Sequence, residues 1–462
     1  MIGISNLFPV GVILALVVGD SFAAEKPRLL VLTDMGADPD DQQSMVRLLL
    51  YANEFEIEGL IATSAGTTGK REQHVTHPEM IRELVTAYGE VRPNLVKHAA
   101  GYPTAEQLLA KIKVGSSQRG KEAIGEGRDT EASQWIIAVV DKPDPRPLCI
   151  SIWGGQTDLG QALWRVKQDR GEEGLKEFVA RLRIYDVADQ DGLASWIQEM
   201  VGMVGTAHPT YVQAGAPAGR DKREGVFRGM YLGGDESLVS REWMETNIRQ
   251  NHGPLGALYP PKTWTAPNPH AAIKEGDTPS WLYFLPHGLN DIEHPEWGGF
   301  GGRFERGTEG VYRDARDAVG DVSDARATVW RWRSAVQADF QTRLNWCVAD
   351  KFEKANHAPV AVVNGDRSRE VVRIQAKAGE MVTLSAAGSS DVDGNAVRYR
   401  WFIYREASLL GGEVTLAPME GVTTRFSASR GEAATVHVIL EVNDAGSPPL
   451  AVFRRVVVAA GE

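Results

Sequence analysis

The feature that most constrains this chain is a cluster of aspartates placed between two predicted strands. Segment 29–32 is a short apolar run typical of a buried strand, and 57–62 is a second one. Between them, a helix pattern places apolar residues on one face at spacings of three and four. A strand–helix–strand unit predicts a parallel sheet, whose ligands bind beyond the carboxyl ends of the strands. The carboxylates lie there, within eight positions: Asp34, Asp38, Asp40 and Asp41.

Four aspartates so close together repel one another, and something must offset the repulsion. A helix N-terminus contributes about 0.3–1 kcal/mol per charge. A hard divalent cation contributes more, and Ca²⁺ takes carboxylate and carbonyl oxygens as ligands. The residues leave open an alternative, an acidic turn in which Asp40 or Asp41 caps the helix. The spacing differs from that of an EF-hand loop, which requires a distal glutamate.

The segment TDMGADPDD resembles the N-terminal aspartate motif of nucleoside hydrolases, DTDPGxDD. Leu32 stands where that motif has its first aspartate, and two additional residues separate Gly36 from the aspartate pair. The longer run TDMGADPDDQQSMVRLLLYANEFEIEGLIAT resembles one branch of the family, a nucleoside hydrolase-like domain described as cellulose-binding. The resemblance implies an α/β fold with a Rossmann-like, mostly parallel sheet flanked by helices.

The resemblance also implies a calcium site built from distant segments. In nucleoside hydrolases an aspartate at the place of Asp277 closes this site, and the carbonyl of a threonine at the place of Thr157 is a ligand. The segment GGQTD, which contains Thr157, follows the predicted strand PLCISIW and resembles the family segment GPLTN. The residues that the resemblance assigns to Ca²⁺ are Asp34, Asp41, Asp277 and Thr157.

The same resemblance implies a reaction. A bound Ca²⁺ would contact vicinal hydroxyls of a sugar and lower the pKa of a bound water. Asp34 is the expected base that takes the proton of this water, and Asp40 is expected to hydrogen-bond a sugar hydroxyl. Because of the two-residue insertion, Asp38 and Asp40 can exchange roles. The transition state would be oxocarbenium-like and stabilised by the carboxylates.

A second set of polar residues follows the predicted strand in RLRIYDVADQDG. Asp189, Gln190 and Asp191 are expected to bind sugar hydroxyls, because nucleoside hydrolases place sugar-binding residues after the corresponding strand. A solvated loop is the alternative.

Two features depart from the family. Gly276 stands where a histidine usually protonates the leaving base, and TSAGTTGK lacks the substrate-binding asparagine of that region.

Residues 1–24 predict a secretory signal peptide. The apolar run 7–18 is too short to span a bilayer, and Ser21-Phe22-Ala23 is a small-x-small cleavage site. The segment before the apolar run carries no Lys or Arg, which is unusual for such a peptide. We expect a secreted or periplasmic protein with no stable membrane span after processing. A single N-terminal anchor is the alternative.

The chain of 462 residues is too long for a single core, so we expect at least two domains. The first is the nucleoside hydrolase-like domain, over 25–354, in which HPEMIRELVTAYGEVRPNL predicts a helix ending near Gly89. The segment 357–359 would be a linker. From 359 to 460, alternating segments separated by Gly, Asp and Ser turns predict an antiparallel, immunoglobulin-like β-sandwich.

The charge balance favours a neutral ligand. Lys and Arg number 50 and Asp and Glu 61, a net charge of −11, and the basic residues are scattered, so no nucleic-acid surface is indicated. We expect a small sugar or nucleoside-like ligand, or a polysaccharide. The retained aspartates favour a hydrolase of N-glycosyl or related glycosyl bonds. The departures from the family motif favour the alternative, a non-catalytic carbohydrate- or cellulose-binding protein. A purely structural surface protein would need no metal.

Overall fold

The computed structural model describes residues 25–65, 74–202, 211–215, 225–266, 271–307, 311–428 and 434–461. The predicted signal peptide, residues 1–24, and the TTGK segment after the second predicted strand lie outside these ranges. Within them, no helix is both long enough and apolar enough to cross a membrane.

An eight-stranded sheet lies at the centre of the N-terminal part of the chain. Its strands are β1 (Arg28–Thr33), β2 (Glu56–Ala62), β3 (Ile112–Val114), β4 (Leu148–Ile152), β5 (Leu182–Val187), β6 (Tyr211–Ala214), β7 (Phe304–Arg306) and β8 (Val311–Asp314). Their order is β3-β2-β1-β4-β5-β6-β8-β7, and every neighbouring pair is parallel except β7 and β8. The predicted α/β fold with a mostly parallel sheet is confirmed.

Helices cover both faces of this sheet. They are α1 (Asp40–Leu50), α2 (Pro78–His98), α3 (Ala105–Leu109), α4 (Glu131–Val140), α5 (Thr157–Ala180), α6 (Ala194–Gly202), α7 (Arg241–Met244), α8 (Gly253–Ala257), α9 (Thr278–Leu282), α10 (Ala327–Trp330) and α11 (Arg333–Val348). A two-stranded ribbon of β9 (Asp317–Val319) and β10 (Val322–Asp324) precedes α10. Short 3-10 segments lie at Lys121–Ala123, Val226–Met230, Glu236–Val239, Pro295–Trp297, Phe352–Lys354 and Arg405–Ala407, with a π-helical turn at Glu245–Arg249.

The side chains of β1 alternate between two cores because a strand inside a parallel sheet is covered on both faces. Leu29 and Val31 pack into the core that includes residues of α1, α2 and α11. Leu30 and Leu32 pack into the core that includes residues of α4, α5 and α6. All four side chains are fully buried. This two-sided burial explains why the strand is an uninterrupted apolar run in the sequence.

The order of the strands reverses beside β1. The chain proceeds from β1 through β2 to β3 on one side and then returns to β4, which pairs with the other side of β1. The connections leaving β1 and β4 therefore diverge and open a crevice between them, the place where open α/β sheets bind ligands. Asp34 follows β1 directly and Gly154 comes shortly after β4, so the aspartate cluster begins at this crevice.

Helix α2 runs past the point at which the sequence predicted its end. The prediction placed the end near Gly89, and it was wrong, because the helix continues through Gly89 and Pro93 to His98. A Cβ on Gly89 would lie 2.9 Å from the Cβ of Ala105, so the glycine lets α3 pack closely instead of ending α2. Packing between distant segments therefore overrides the local signal.

Two sheets form the C-terminal part of the chain. Their strands are β11 (Val372–Lys377), β12 (Met381–Ser385), β13 (Arg398–Ile403), β14 (Thr423–Ser427), β15 (Thr435–Asn443) and β16 (Ala451–Gly461). The larger sheet has the order β11-β16-β15-β13, and the smaller pairs β12 with β14. All neighbours are antiparallel except β11 and β16. The sheets share a core around Leu384, Trp401 and Phe426, which confirms the predicted β-sandwich and adds one parallel pair.

The sandwich packs against the N-terminal part through a buried arginine. Arg455 on β16 is fully buried. Its guanidinium donates hydrogen bonds to three backbone carbonyls, those of Leu289, Trp297 and Gly298. Phe453 lies on the same face of β16, and its ring centroid is 5.9 Å from that of Phe300 in the N-terminal part. The two parts therefore share a buried polar and aromatic interface.

A pair of histidines lies where the chain passes between the two parts. His357, in the predicted linker, is buried, and its Nδ1 lies 2.9 Å from Oδ1 of Asp393. Its Nε2 lies 3.1 Å from Nδ1 of His98, whose Nε2 lies 2.9 Å from the carbonyl oxygen of Ala349. The ring of Phe352 stacks on His357 with the centroids 3.6 Å apart. The start of the predicted linker is therefore packed against both the N-terminal part and the sandwich.

We expect Arg455→Ala to lower the free energy of unfolding by about 3 kcal/mol or more, because it leaves buried carbonyls without donors. Thermal or denaturant unfolding followed by circular dichroism measures the loss. Arg425→Ala is the matched control, since it removes an exposed arginine of the same sandwich. The control is expected to stay within about 0.5 kcal/mol of the wild type. Equal stabilities of the two variants would contradict the role assigned to Arg455.

Candidate functional site

The loops at the crevice are packed closely against one another. Asp34 is buried directly after β1, and its carbonyl accepts a hydrogen bond from the N–H of Ala37 at 3.0 Å. A Cβ on Gly154 would lie 2.5 Å from the Cβ of Asp34, so a larger residue would displace the carboxylate. Gly36 has a φ of +97° and faces the ring of His77, and both features favour glycine. Gly154 thus allows the loop after β4 to contact the first aspartate.

Three carboxylates converge at this crevice. Asp40 and Asp41 lie in the first turn of α1, and Asp277 directly precedes α9. All three are buried, and one oxygen from each lies within 4.8 Å of the others. The hydroxyl of Thr33 donates a hydrogen bond to Oδ1 of Asp41. Oδ2 of Asp277 is buried and has no hydrogen-bond partner among the residues that the structure describes.

Burial and mutual repulsion raise the pKa values of these carboxyl groups. Burial, and then the charges of Asp34 and Asp40, raise the pKa of Asp41 well above its usual range. Burial, and then the charges of Asp41 and Asp40, do the same to the pKa of Asp277. Burial also raises the pKa of Asp34 to about 6, although the guanidinium of Arg119 opposes the shift. The cluster therefore carries excess negative charge that protons or another cation must offset.

Two basic side chains that the sequence analysis missed neutralise part of this charge. Nζ of Lys274 lies 2.9 Å from Oδ2 of Asp38 and 2.8 Å from Oδ2 of Asp40. Burial lowers the pKa of Lys274, but the charges of Asp40 and Asp38 outweigh burial and raise it. Nη2 of Arg119 lies 3.0 Å from Oδ2 of Asp34. Lys274 had one usable signal, its place just before Asp277, whereas no motif surrounds Arg119.

A buried ion pair fixes the loop that carries Lys274 and Asp277. Oε1 of Glu275 accepts a hydrogen bond from Nη2 of Arg47 on α1 at 3.0 Å, and both side chains are fully buried. Glu275 also accepts a hydrogen bond from the hydroxyl of Thr278 at 2.9 Å. Its φ is +42°, in the left-handed region that residues other than glycine seldom adopt. Side-chain contacts therefore hold the strained backbone of Glu275 in place. Lys274, just before it, and Asp277, two residues after it, both reach the carboxylate cluster.

Asp38 is committed to hydrogen bonds of its own. Its carboxylate accepts hydrogen bonds from the backbone N–H of Trp264 at 2.7 Å and from that of Thr265 at 3.2 Å. Burial raises the pKa of Asp38, but the charge of Lys274 and the hydrogen bonds from the hydroxyl of Thr265 and the N–H of Trp264 outweigh burial and lower it. The sequence left open whether Asp38 or Asp40 takes the role at the crevice. In the structure Asp40 belongs to the group of three carboxylates.

Asp189 and Gln190 hold the loop after β5. Oδ1 of Asp189 accepts hydrogen bonds from the N–H of Ala194, at the start of α6, and from the side-chain amide of Gln156, both at 2.8 Å. The amide of Gln190 donates to the carbonyl of Trp153. A sugar hydroxyl would have to compete with these contacts, so the sugar-binding role of both residues stays a prediction.

Asp191 and Thr157 connect this loop to the crevice. The N–H of Thr157, the first residue of α5, donates to Oδ2 of Asp191 at 3.0 Å, and its hydroxyl donates to the same oxygen. Nε of Arg119 lies 3.1 Å from Oδ1 of Asp191. Because the same guanidinium reaches Asp34, it bridges the loops after β1 and β5. The carbonyl of Thr157 as a metal ligand stays a prediction.

The donor set at the crevice suits a hard cation. Carboxylate oxygens are the ligands that Ca²⁺ and Mg²⁺ prefer. The group Asp40, Asp41 and Asp277 supplies three carboxylates, and the unpartnered Oδ2 of Asp277 is available as a ligand. Lys274 and Arg119, which lie beside the cluster, are shared with other carboxylates. The cluster can therefore hold a metal ion.

Two family descriptions match the chain. Residues 28–304 match "Cellulose-binding Sde182, nucleoside hydrolase-like domain", and residues 381–460 match "Cellulose-binding protein Sde0182, C-terminal domain". No curated protein matches the chain.

A similar solved structure is that of a nucleoside hydrolase-related hypothetical protein from Saccharophagus degradans, described as associated with carbohydrate metabolism. The two chains are 33% identical with a TM-score of 0.77, over 95% of this chain and 100% of that one. The effector protein XOO4466 aligns at 11% identity with a TM-score of 0.37, over 70% of this chain and 95% of that one. This chain belongs to the Sde182 family, which joins a nucleoside hydrolase-like domain to the family's own C-terminal domain.

Proposed function

We propose that this protein hydrolyses an N-glycosyl or related glycosyl bond at the aspartate crevice, with Ca²⁺ as its cofactor. The observation that supports the proposal most is the convergence of Asp40, Asp41 and Asp277, with oxygens within 4.8 Å of one another. Buried carboxylates in such number are costly, and clusters of this kind concentrate at functional sites. Membership of a nucleoside hydrolase-like family agrees with this chemistry. The predicted signal peptide makes a secreted or periplasmic location part of the proposal.

Asp40, Asp41 and Asp277 would hold the cation, with Asp34 beside them and the Thr157 carbonyl as a further candidate. When bound, a divalent cation supplies positive charge to the cluster and lowers the pKa of a coordinated water. Lys274 would keep Asp40 oriented through its contact at 2.8 Å. The repulsion among the carboxylates, costly in the absence of a cation, would favour binding.

Asp34 has the properties of a general base. Burial raises its pKa to about 6, close enough to neutral pH for efficient proton transfer. Arg119 fixes the direction of the carboxylate through its contact with Oδ2. Asp34 would take a proton from the attacking water, while Asp40 accepts a hydrogen bond from a sugar hydroxyl. The surrounding carboxylates would stabilise positive charge that develops on the sugar.

Gly276 occupies the position from which a histidine protonates the leaving base in nucleoside hydrolases. A Cβ at Gly276 would lie 2.9 Å from Oδ2 of Asp40 and 3.5 Å from the ring of Phe227, so the site leaves little room for a side chain there. The leaving group would depart without a proton from this position. We therefore expect a preference for substrates with good leaving groups over plain nucleosides.

Carbohydrate binding without turnover is the second candidate function. The ion pair with Arg119 offsets the charge of Asp34, and Gly276 supplies no acid. The descriptions of both matched families name cellulose binding. A crevice that only binds would keep its cation and its contacts to hydroxyls but would not transfer the proton. Turnover measured alongside binding distinguishes the two functions.

The contribution of Asp34 to the stability of the cation-free protein is expected to fall as the pH rises from about 4 to about 6. The pKa of Asp34 is raised from 3.8 to about 6, so in this range the folded state keeps a proton that the unfolded chain has lost. What Asp34 contributes to the free energy of unfolding then decreases with increasing pH. Ca²⁺ should reverse the loss by binding the ionised cluster. Thermal midpoints in EDTA and in excess Ca²⁺ measure both effects, and a midpoint indifferent to Ca²⁺ near neutral pH would contradict the cation site.

Asp277→Asn separates the contribution of the cation from that of the fold. The amide resembles the protonated carboxyl and removes one repelling charge. Near neutral pH we therefore expect a higher thermal midpoint than wild type in EDTA and little further rise with Ca²⁺. Asp321→Asn, at an exposed turn, is the control and should respond to Ca²⁺ as wild type does. If Asp277→Asn keeps the full response to Ca²⁺, Asp277 is not a ligand.

Asp34→Asn tests the chemistry. We expect turnover of activated glycosides, such as nitrophenyl ribosides, to fall by about 10²–10⁴-fold, the usual contribution of a positioned base. Ligand affinity, measured by calorimetry on the same samples, should weaken much less. Asp321→Asn should keep the wild-type rate. If the wild-type protein is inactive on activated ribosides and other glycosides at saturating Ca²⁺, the hydrolase proposal is wrong. The binding function then takes its place.

A further inference from the structure

A pocket of about 420 Å³ lies between the N-terminal part and the sandwich. Its walls come from α11 and from the segments after α1 and α9 on one side, and from residues 358–361 and 450–454 on the other. The volume falls in the range of small-molecule sites, about 300–1,000 Å³, and such sites are common at domain interfaces. None of the aspartates of the crevice lines this pocket. The junction pocket, defined by these segments, is therefore separate from the aspartate crevice.

Apolar side chains form most of the surface of the junction pocket. Phe300 and Phe453 come from the two parts of the chain, and their ring centroids lie 5.9 Å apart. Phe300 and Val452 are only partly buried, so both still expose surface. Further apolar residues of the lining are Leu285, Pro286, Trp346, Pro359, Val360 and Leu450. Walls that carry aromatic rings suit a ligand with a flat, apolar body.

The charged side chains of the junction pocket carry a surplus of positive charge. Four are basic and two are acidic: Arg343, Arg367, Arg369, Arg454, Glu54 and Asp339. Nη2 of Arg343 lies 3.0 Å from Oε1 of Glu54, and Nη2 of Arg369 lies 2.9 Å from its Oε2. Nε of Arg343 also lies 3.1 Å from Oδ2 of Asp339. Because the whole chain has a net charge of −11, a positive surplus is a local property of this pocket.

Arg367 is the source of this surplus. Arg454 is paired, because its Nη2 lies 2.9 Å from Oδ1 of Asp366. The guanidinium of Arg367, in contrast, has no Asp or Glu oxygen within 4.0 Å in the part of the chain that the structure describes. Its Nη2 lies 3.5 Å from the carbonyl oxygen of Gly388. Arg367 is exposed, and such a guanidinium can take the carboxylate of a ligand through two parallel hydrogen bonds.

His287 indicates that the electrostatic environment inside the junction pocket is positive. This residue lines the pocket, and burial, followed by the charges of Arg455 and Arg369, lowers the pKa of His287 to about 3. The neutral ring accepts a hydrogen bond at Nε2 from the N–H of Phe300 at 3.3 Å, so its proton lies on Nδ1. Nδ1 is buried and has no hydrogen-bond partner among the described residues, which leaves the positive end of this dipole unneutralised. Shielded charges and dipoles of this sign favour a negatively charged ligand.

We propose that the junction pocket binds a small aromatic monocarboxylate. The carboxylate of the ligand would pair with the guanidinium of Arg367, and its ring would lie against Phe300 and Phe453. The negative charge of the ligand offsets the surplus of arginine, which a neutral or cationic ligand of the same shape cannot do. Binding here requires neither the cation nor the chemistry of the aspartate crevice.

The test is binding of trans-cinnamate to the intact protein, measured by isothermal titration calorimetry. We expect a dissociation constant of about 1 mM or tighter, which a ligand of this size can reach. Cinnamyl alcohol has the same ring and no charge. It should bind about tenfold more weakly or worse, because it cannot form the charge-assisted hydrogen bonds of the carboxylate.

Arg367→Gln separates recognition of the charge from occupation of the pocket. We expect this variant to bind cinnamate about tenfold more weakly than wild type and to bind cinnamyl alcohol unchanged. A general distortion of the pocket would weaken both ligands. Arg425→Gln is the matched control, because Arg425 is an exposed arginine of the same sandwich that does not line the pocket.

Val452→Phe tests the place of binding, because it adds a ring to the wall of the pocket and should abolish binding of both ligands. Val422→Phe, at an exposed valine outside the pocket, is its control and should bind as wild type does. Circular dichroism and thermal midpoints would show that the variants are folded.

Three outcomes would overturn the proposal: no binding of cinnamate to the wild-type protein at millimolar concentration, equal affinity of wild type for cinnamate and cinnamyl alcohol, or wild-type affinity for cinnamate in Arg367→Gln or Val452→Phe. Asp34→Asn should bind cinnamate as wild type does. Failure at the junction pocket is thus recognised separately from failure of the proposed hydrolase activity, which is read from turnover at the crevice.

Discussion

Repulsion among buried carboxylates is the constraint on which the arrangement of the N-terminal part depends. Charges a few ångströms apart and shielded from water interact far more strongly than the same charges on a surface. The chain offsets them with cations from outside the motif: Lys274 lies between two carboxylates, and Arg119 lies between two others. The remaining charge raises the pKa values of Asp41 and Asp277. The loops after β1, β3 and β5 and the loop before α9 must therefore meet at one point.

Features encoded in neighbouring residues were predicted well from the sequence. The apolar run of β1 indicated a strand buried on both faces, and the two core clusters show why. The alternating segments after residue 359 indicated the sandwich. The motif containing Asp34, Asp40 and Asp41 indicated membership of the family that the comparisons show. In each of these cases the physical cause of the pattern, burial or close spacing of charges, acts within a few positions of the chain.

Several features that arise between distant segments were not predicted. Gly89 looked like the end of a helix, but its function is to admit α3. Arg119 carries no local signal, because its importance comes from two aspartates far away in the chain. The segment around His357 looked like a linker, since nothing in its neighbourhood indicates that His98 and Asp393 pack against it. Only the folded chain shows these contacts.

The histidine pair at this junction links the two parts of the chain in series. Its contacts run from Asp393 in the sandwich through His357 to His98, the last residue of α2, and from there to the carbonyl oxygen of Ala349. Helix α2 begins directly after His77, whose ring faces Gly36 in the aspartate motif. A single helix therefore spans the distance from the aspartate crevice to the junction with the sandwich.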